Sequence, residues 1–115
     1  MSATTEIQNI EELRSAVEKE LTVLHDMLVD NLGIDINLYD ALMDLRDKVM
    51  TMLYCIGGQY CRMDNAIIDA YDLARDIQRV AEIAHATEYA RVGAKVADMI
   101  FNYMYEYEDV GGTDE

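Results

Sequence analysis

Proline is absent from these 115 residues, so neither rigid proline turns nor proline kinks interrupt the chain. Bases are scarce: nine Lys and Arg face 23 Asp and Glu, a net charge of −14. No run of Lys or Arg occurs, which excludes direct binding of nucleic acid, since phosphate contacts need a basic patch. An anionic membrane surface is disfavoured for the same reason. Long apolar runs are missing too, and the start, "MSATTEIQNIEEL", has neither a basic n-region nor an apolar h-region. The expectation is a cytoplasmic protein with no membrane span and no targeting segment. No phosphate-binding glycine loop is present; "RVGAKVAD" has one glycine inside a helical pattern.

What is present reads as helix. Half of the residues are hydrophobic, and Ala, Leu, Met, Glu, Asp and Arg dominate over strand formers. Periodicity marks four segments. Ile10, Leu13, Val17, Leu21, Leu24 and Leu28 form the first stripe, with Asn9 and Glu12 as a capping box, Thr5 and Gln8 as a competing start, and Gly33 as the stop. Leu38, Leu42, Leu45, Val49, Met52 and Ile56 form the second, capped by Asp35 or Asn37. The third follows Asp64 and turns Ile67, Ala70, Tyr71, Ala74, Ile77, Ala81 and Ala84 inward, small residues that admit a close neighbour. The fourth starts near Thr87 and carries Tyr89, Val92, Val96, Met99, Ile100, Tyr103 and Tyr107. Short connections make sequential helices antiparallel. The expected fold is all-α: an antiparallel four-helix bundle, or a pair of helical hairpins completed by dimerisation. It occupies one domain, 1–110, with 111–115 as a flexible acidic tail.

The two cysteines, Cys55 and Cys61, flank Gly57-Gly58 in "CIGGQYC". Two glycines inside a helix cost about 2 kcal/mol relative to alanine, so the second helix is expected to end there. Zinc sites use paired short cysteine spacings, and redox pairs use C-x-x-C near a helix start. C-x5-C is neither. Without an export signal the cysteines are expected to be free thiols, Cys55 as a small core residue. A Cys2His2 set would need His25 and His85 to converge with them from other helices. Glu82-Ile-Ala-His85 has the Glu-x-x-His spacing of di-iron bundles, but such sites need a second copy of the motif, and Thr22 stands where His25 would need an acid. No catalytic, cofactor or metal residue is therefore expected.

The acids are ordered. Asp40, Asp44 and Asp47 recur at steps of four and three, and Asp69, Asp72 and Asp76 at steps of three and four. Each trio falls on one helix face about 5 to 6 Å from residue to residue, with Lys48, Arg75 and Arg79 placed to offset part of it. Glu106, Glu108 and Asp109 add charge near the end. These nine are the expected partner-binding residues, suited to a basic-surfaced protein, including a nucleic-acid-binding one. Self-association, as a homodimer or higher homo-oligomer, is expected through Val92, Gly93, Val96, Ala97, Met99, Ile100 and Tyr103.

Two resemblances extend this. In size, acidity and the tyrosine-laced terminus "FNYMYEYEDVGGTDE", the chain resembles small phage-encoded anti-defence proteins that mimic DNA. That resemblance implies steric blocking of a restriction, CRISPR or other nucleic-acid-binding protein. "ARDIQRVAEIAHATEYARVGAKVADMI", residues 74–100, is similar to the helical hairpin of phage small terminase subunits, with the turn at His85 to Glu88. That implies the alternative of a homo-oligomeric structural or packaging subunit; a metal-binding bundle is the second alternative. The expectation is a non-catalytic, acidic, helical protein-binding module.

Overall fold

The computed structural model describes residues 9–31, 33–55 and 63–112. Four helices follow one another: α1 (Ile10–Asp30), α2 (Ile36–Cys55), α3 (Met63–Ile83) and α4 (Thr87–Gly112). Among the described residues there is no strand, and the helical bundle expected from the periodicity is the observed fold. Each helix lies against its neighbours in the chain, and α4 closes the circuit against α1.

The helix ends have local causes. Asn9 caps α1, its Oδ1 accepting the Glu12 N–H at 2.9 Å, half of the expected capping box. Asp35 does the same for α2, accepting from the Asn37 N–H at 2.8 Å. The first helix stops at Asp30, three residues before Gly33. Asn31 closes it instead, its N–H directed at the carbonyls of Met27 and Leu28. The last helix runs to Gly112, two residues beyond the expected domain boundary. The break at Gly57-Gly58 falls outside the described residues, as do Thr5, Gln8, Ile56 and Cys61.

The core divides by side-chain size. On α1, Leu13, Val17, Leu21, Leu24 and Leu28 are fully buried, and α2 adds Leu38, Leu42, Val49 and Leu53. Leu45 and Met52 of the expected stripe are only half-buried. On α3 the buried face is Ala66, Ile67, Ala70, Ala74, Ile77 and Ala81, and α4 meets it with Ala90, Gly93 and Ala97. Small residues on both sides let the two backbones approach. A Cβ on Gly93 would lie 2.6 Å from the Gln78 backbone nitrogen, 2.9 Å from Ile77 Cγ2 and 3.1 Å from the Ala74 carbonyl oxygen. Tyr89 ties the start of α4 to the end of α1, donating to the Met27 carbonyl at 3.1 Å and accepting from Asn31 Nδ2 at 3.3 Å. Lys95 and Glu20 bridge the same two helices at 3.0 Å.

Gly93→Ala separates close packing from helix propensity. In an open helix alanine is better by about 1 kcal/mol. Here the added methyl meets backbone, which no rotamer change relieves, so a net loss of about 2 kcal/mol is expected in urea unfolding. A stabilised variant would mean that α3 and α4 stand further apart.

Candidate protein-binding surface

The two aspartate trios lie on adjacent helices. Asp40, Asp44 and Asp47 on α2 are exposed, as are Asp69 and Asp72 on α3; Asp76 is half-buried. Part of this charge is offset within each helix. Lys48 reaches Asp44 at 3.1 Å, Arg79 reaches Asp76 at 2.7 Å, and Arg46 pairs with Asp47. Arg75 does not join this pattern. Its guanidinium lies over the Tyr71 ring, 6.0 Å from the centroid, and donates to the Tyr71 hydroxyl at 3.1 Å. Asp40, Asp69 and Asp72 have no cation partner among the described residues. Glu106, Glu108 and Asp109 are carried by α4, but their side chains lie outside the described residues.

The first helix adds carboxylates that the trio pattern did not capture. Glu11, Glu12, Glu18, Asp26 and Asp30 are exposed along α1. Their signal was the i,i+4 pair Asp26 and Asp30. Glu18 has a role across the bundle: the Tyr54 hydroxyl of α2 donates to Glu18 Oε1 at 2.7 Å, with the Arg14 guanidinium 5.4 Å from the Tyr54 ring centroid. The hydrogen bond to Glu18 holds the Tyr54 hydroxyl above its ordinary pKa of 10.0, desolvation and the Glu18 charge add to this, and Arg14 opposes it. The linkage runs in one direction: this contact is intact below pH 10 and is lost as pH rises through the higher value.

The expected self-association residues are placed differently. Val92, Gly93, Val96, Ala97, Ile100 and Tyr103 are buried in the chain's own core, and Met99 is half-buried. Within the single chain six of the seven are covered by neighbouring helices, while Met99 stays partly exposed.

The cysteine and histidine expectations also change. Cys55 is disulfide-bonded, which corrects the expectation of a free thiol and removes it from any Cys2His2 set. The expectation of a free thiol rested on compartment alone. His25 lies on α1 beside Asp26, Nδ1 to Oδ1 3.6 Å, while His85 sits in the turn between α3 and α4. Among the described residues no group of three or more His, Cys, Asp and Glu is placed to hold a metal.

His85 has a backbone role. Its φ is 60°, the left-handed region where glycine is usual. The Ala86 N–H donates to the Ala81 carbonyl at 2.8 Å and the His85 N–H to Glu82 at 3.0 Å, the paired bonds of a Schellman helix end. Beside this turn Gln78, Glu82, His85, Thr87, Ala90, Arg91 and Ala94 border an open groove of about 310 Å³. Gln78 Nε2 donates to Glu82 Oε2 at 3.0 Å within it.

Two measurements follow. His85→Gly relieves the left-handed strain and is expected to raise stability by about 0.5 to 1 kcal/mol in urea unfolding, net of glycine's extra unfolded-state entropy. A loss of stability would show that the imidazole holds the turn. Thiol titration of the denatured, unreduced chain should find Cys55 blocked until reductant is added; a reactive Cys55 would contradict the bond.

No family model, no curated protein and no solved structure matches the chain.

Proposed function

We propose that this chain is a non-catalytic binding protein whose acidic helical surface docks on a basic-surfaced partner. The supporting observation is the exposure of five of the six trio aspartates on adjacent α2 and α3, with Asp40, Asp69 and Asp72 uncompensated among the described residues. Carboxylates at helical steps lie about 5 to 6 Å apart, loosely comparable with phosphates along a nucleic-acid strand. The sharp form of the proposal is a phage or mobile-element inhibitor that occupies the basic groove of a nucleic-acid-binding protein. Long-range attraction would speed the encounter, and salt would weaken it.

Setting also enters the proposal. Among the described residues no helix is long and apolar enough to cross a membrane. A disulfide at Cys55 is usual in an oxidising environment and rare in a cytosolic one.

Replacing Asp40, Asp44, Asp47, Asp69, Asp72 and Asp76 with Asn tests the surface. Folding should survive within about 1 kcal/mol, because exposed charges contribute little to stability. In pull-downs from a host lysate, the wild type should retain a nucleic-acid-binding protein at low salt, release it at high salt, and lose it to competing duplex DNA. The six-fold variant should retain roughly tenfold less. Capture of the same partner equally well by the variant would return these aspartates to the role of a solvated coat.

A further inference from the structure

The end of α2 carries two features side by side. Cys55, the last residue of the helix, is disulfide-bonded, and Cys61 is the one other cysteine in the sequence. Tyr54, immediately before it, reaches across to α1. Its hydroxyl donates to Glu18 Oε1 at 2.7 Å, and the Arg14 guanidinium stands 5.4 Å from its ring centroid. One covalent bond therefore fixes the residue next to the one that joins α2 to α1.

Packing does little to hold Tyr54 in this position. Leu53 is buried, but Tyr54 keeps 55% of its surface in water. The reach of its hydroxyl to Glu18 depends instead on the backbone of the last turn. Helix ends fray, and local opening there takes little free energy. Gly57 and Gly58 follow in the sequence. Glycine has the most backbone freedom to lose, so the chain beyond Cys55 supplies little restraint of its own. A disulfide, by contrast, restricts the open ensemble of the residues it joins. Two further polar ties of α1, Tyr89 on Met27 and Lys95 on Glu20, run to α4 and lie further along the helix.

We propose that the Cys55 disulfide is a redox-sensitive clamp: closed, it holds the last turn of α2 where Tyr54 engages Glu18 and Arg14; opened, it lets that turn fray and loosens the first half of α1. The opening reaction is thiol–disulfide exchange with a dithiol. The dithiol's two sulfurs join in a new disulfide, the Cys55 S–S bond breaks, and the dithiol's two hydrogens end on the protein sulfurs. Glu11, Glu12 and Glu18 are carried on that half of α1, so the redox state also sets how rigidly these carboxylates are presented. The inference stands apart from the acidic-surface reading, because it concerns the hold between α1 and α2 and needs no partner.

Native-state hydrogen exchange of the full chain, oxidised and after reduction with dithiothreitol, is the test. Reduction should quicken exchange of the amides of residues 52–55 and, about threefold or more, those of residues 14–19 in α1. Amides of α4 around Tyr89 should keep their rates. Tyr54→Phe removes the hydroxyl and leaves the disulfide. It should quicken the same α1 amides in the oxidised chain, and reduction should then add little at them. Unchanged α1 rates on reduction would overturn the proposal, as would a Tyr54→Phe chain whose α1 amides respond to reduction as fully as the wild type. Loss of helix throughout the reduced chain would overturn it too, since a clamp of this kind leaves the remaining bundle folded.

Discussion

Where α4 crosses α3, there is no room for a side chain at residue 93. Atoms of Gln78, Ile77 and Ala74 already lie 2.6 to 3.1 Å from where its Cβ would stand, and much of the remaining arrangement depends on this. Alanine and glycine bury less apolar area per residue than leucine. The seam gains instead from dispersion between closely approached backbones, as close packing requires. Larger side chains then fill the rest: the leucines of α1 and α2 face inward from the other side, and Tyr89 anchors α4 to the end of α1. Residues 71, 75, 78 and 82 of α3, and 91, 94, 98 and 101 of α4, are left along the outer edge of the seam. The surface of the pair is thus a consequence of how tightly its interior closes.

Much of this was legible in the sequence, for identifiable reasons. The 3.6-residue stripes of α1 and α3 matched burial at Leu13, Val17, Leu21, Ala70, Ala74 and Ile77. Asn9 and Asp35 were readable as caps because a short polar side chain before an apolar period has a specific hydrogen bond to make. The rest depends on facts that periodicity does not contain. Val92, Val96 and Ile100 were seen to form an apolar face, and they are buried within this chain, yet a period by itself does not say which neighbour covers such a face. Cys55 was judged by compartment, and it is disulfide-bonded. The Tyr54, Glu18 and Arg14 contact joins residues 36 or more positions apart and has no local signature.

The candidate surface was legible in part. Both trios were visible because Asp at steps of three and four on a helix must share a face. Their neighbours were not. Arg75 stood at a spacing suited to offsetting aspartates, but it lies on Tyr71, and that aromatic contact leaves Asp72 without its expected partner.

The exposed acidic face of α2 and α3 is the central claim, and paramagnetic NMR can measure it without any partner. Relaxation of the backbone amides is recorded with a cationic and with a neutral paramagnetic cosolute of the same size. The ratio of the two reports local potential, residue by residue. Amides beside Asp40, Asp69, Asp72 and the acids of α1 should show marked enrichment of the cationic probe, while those at Gln78, Ala94 and Arg91 should show little. Enrichment beside these acids no greater than at Gln78, Ala94 and Arg91 would contradict it.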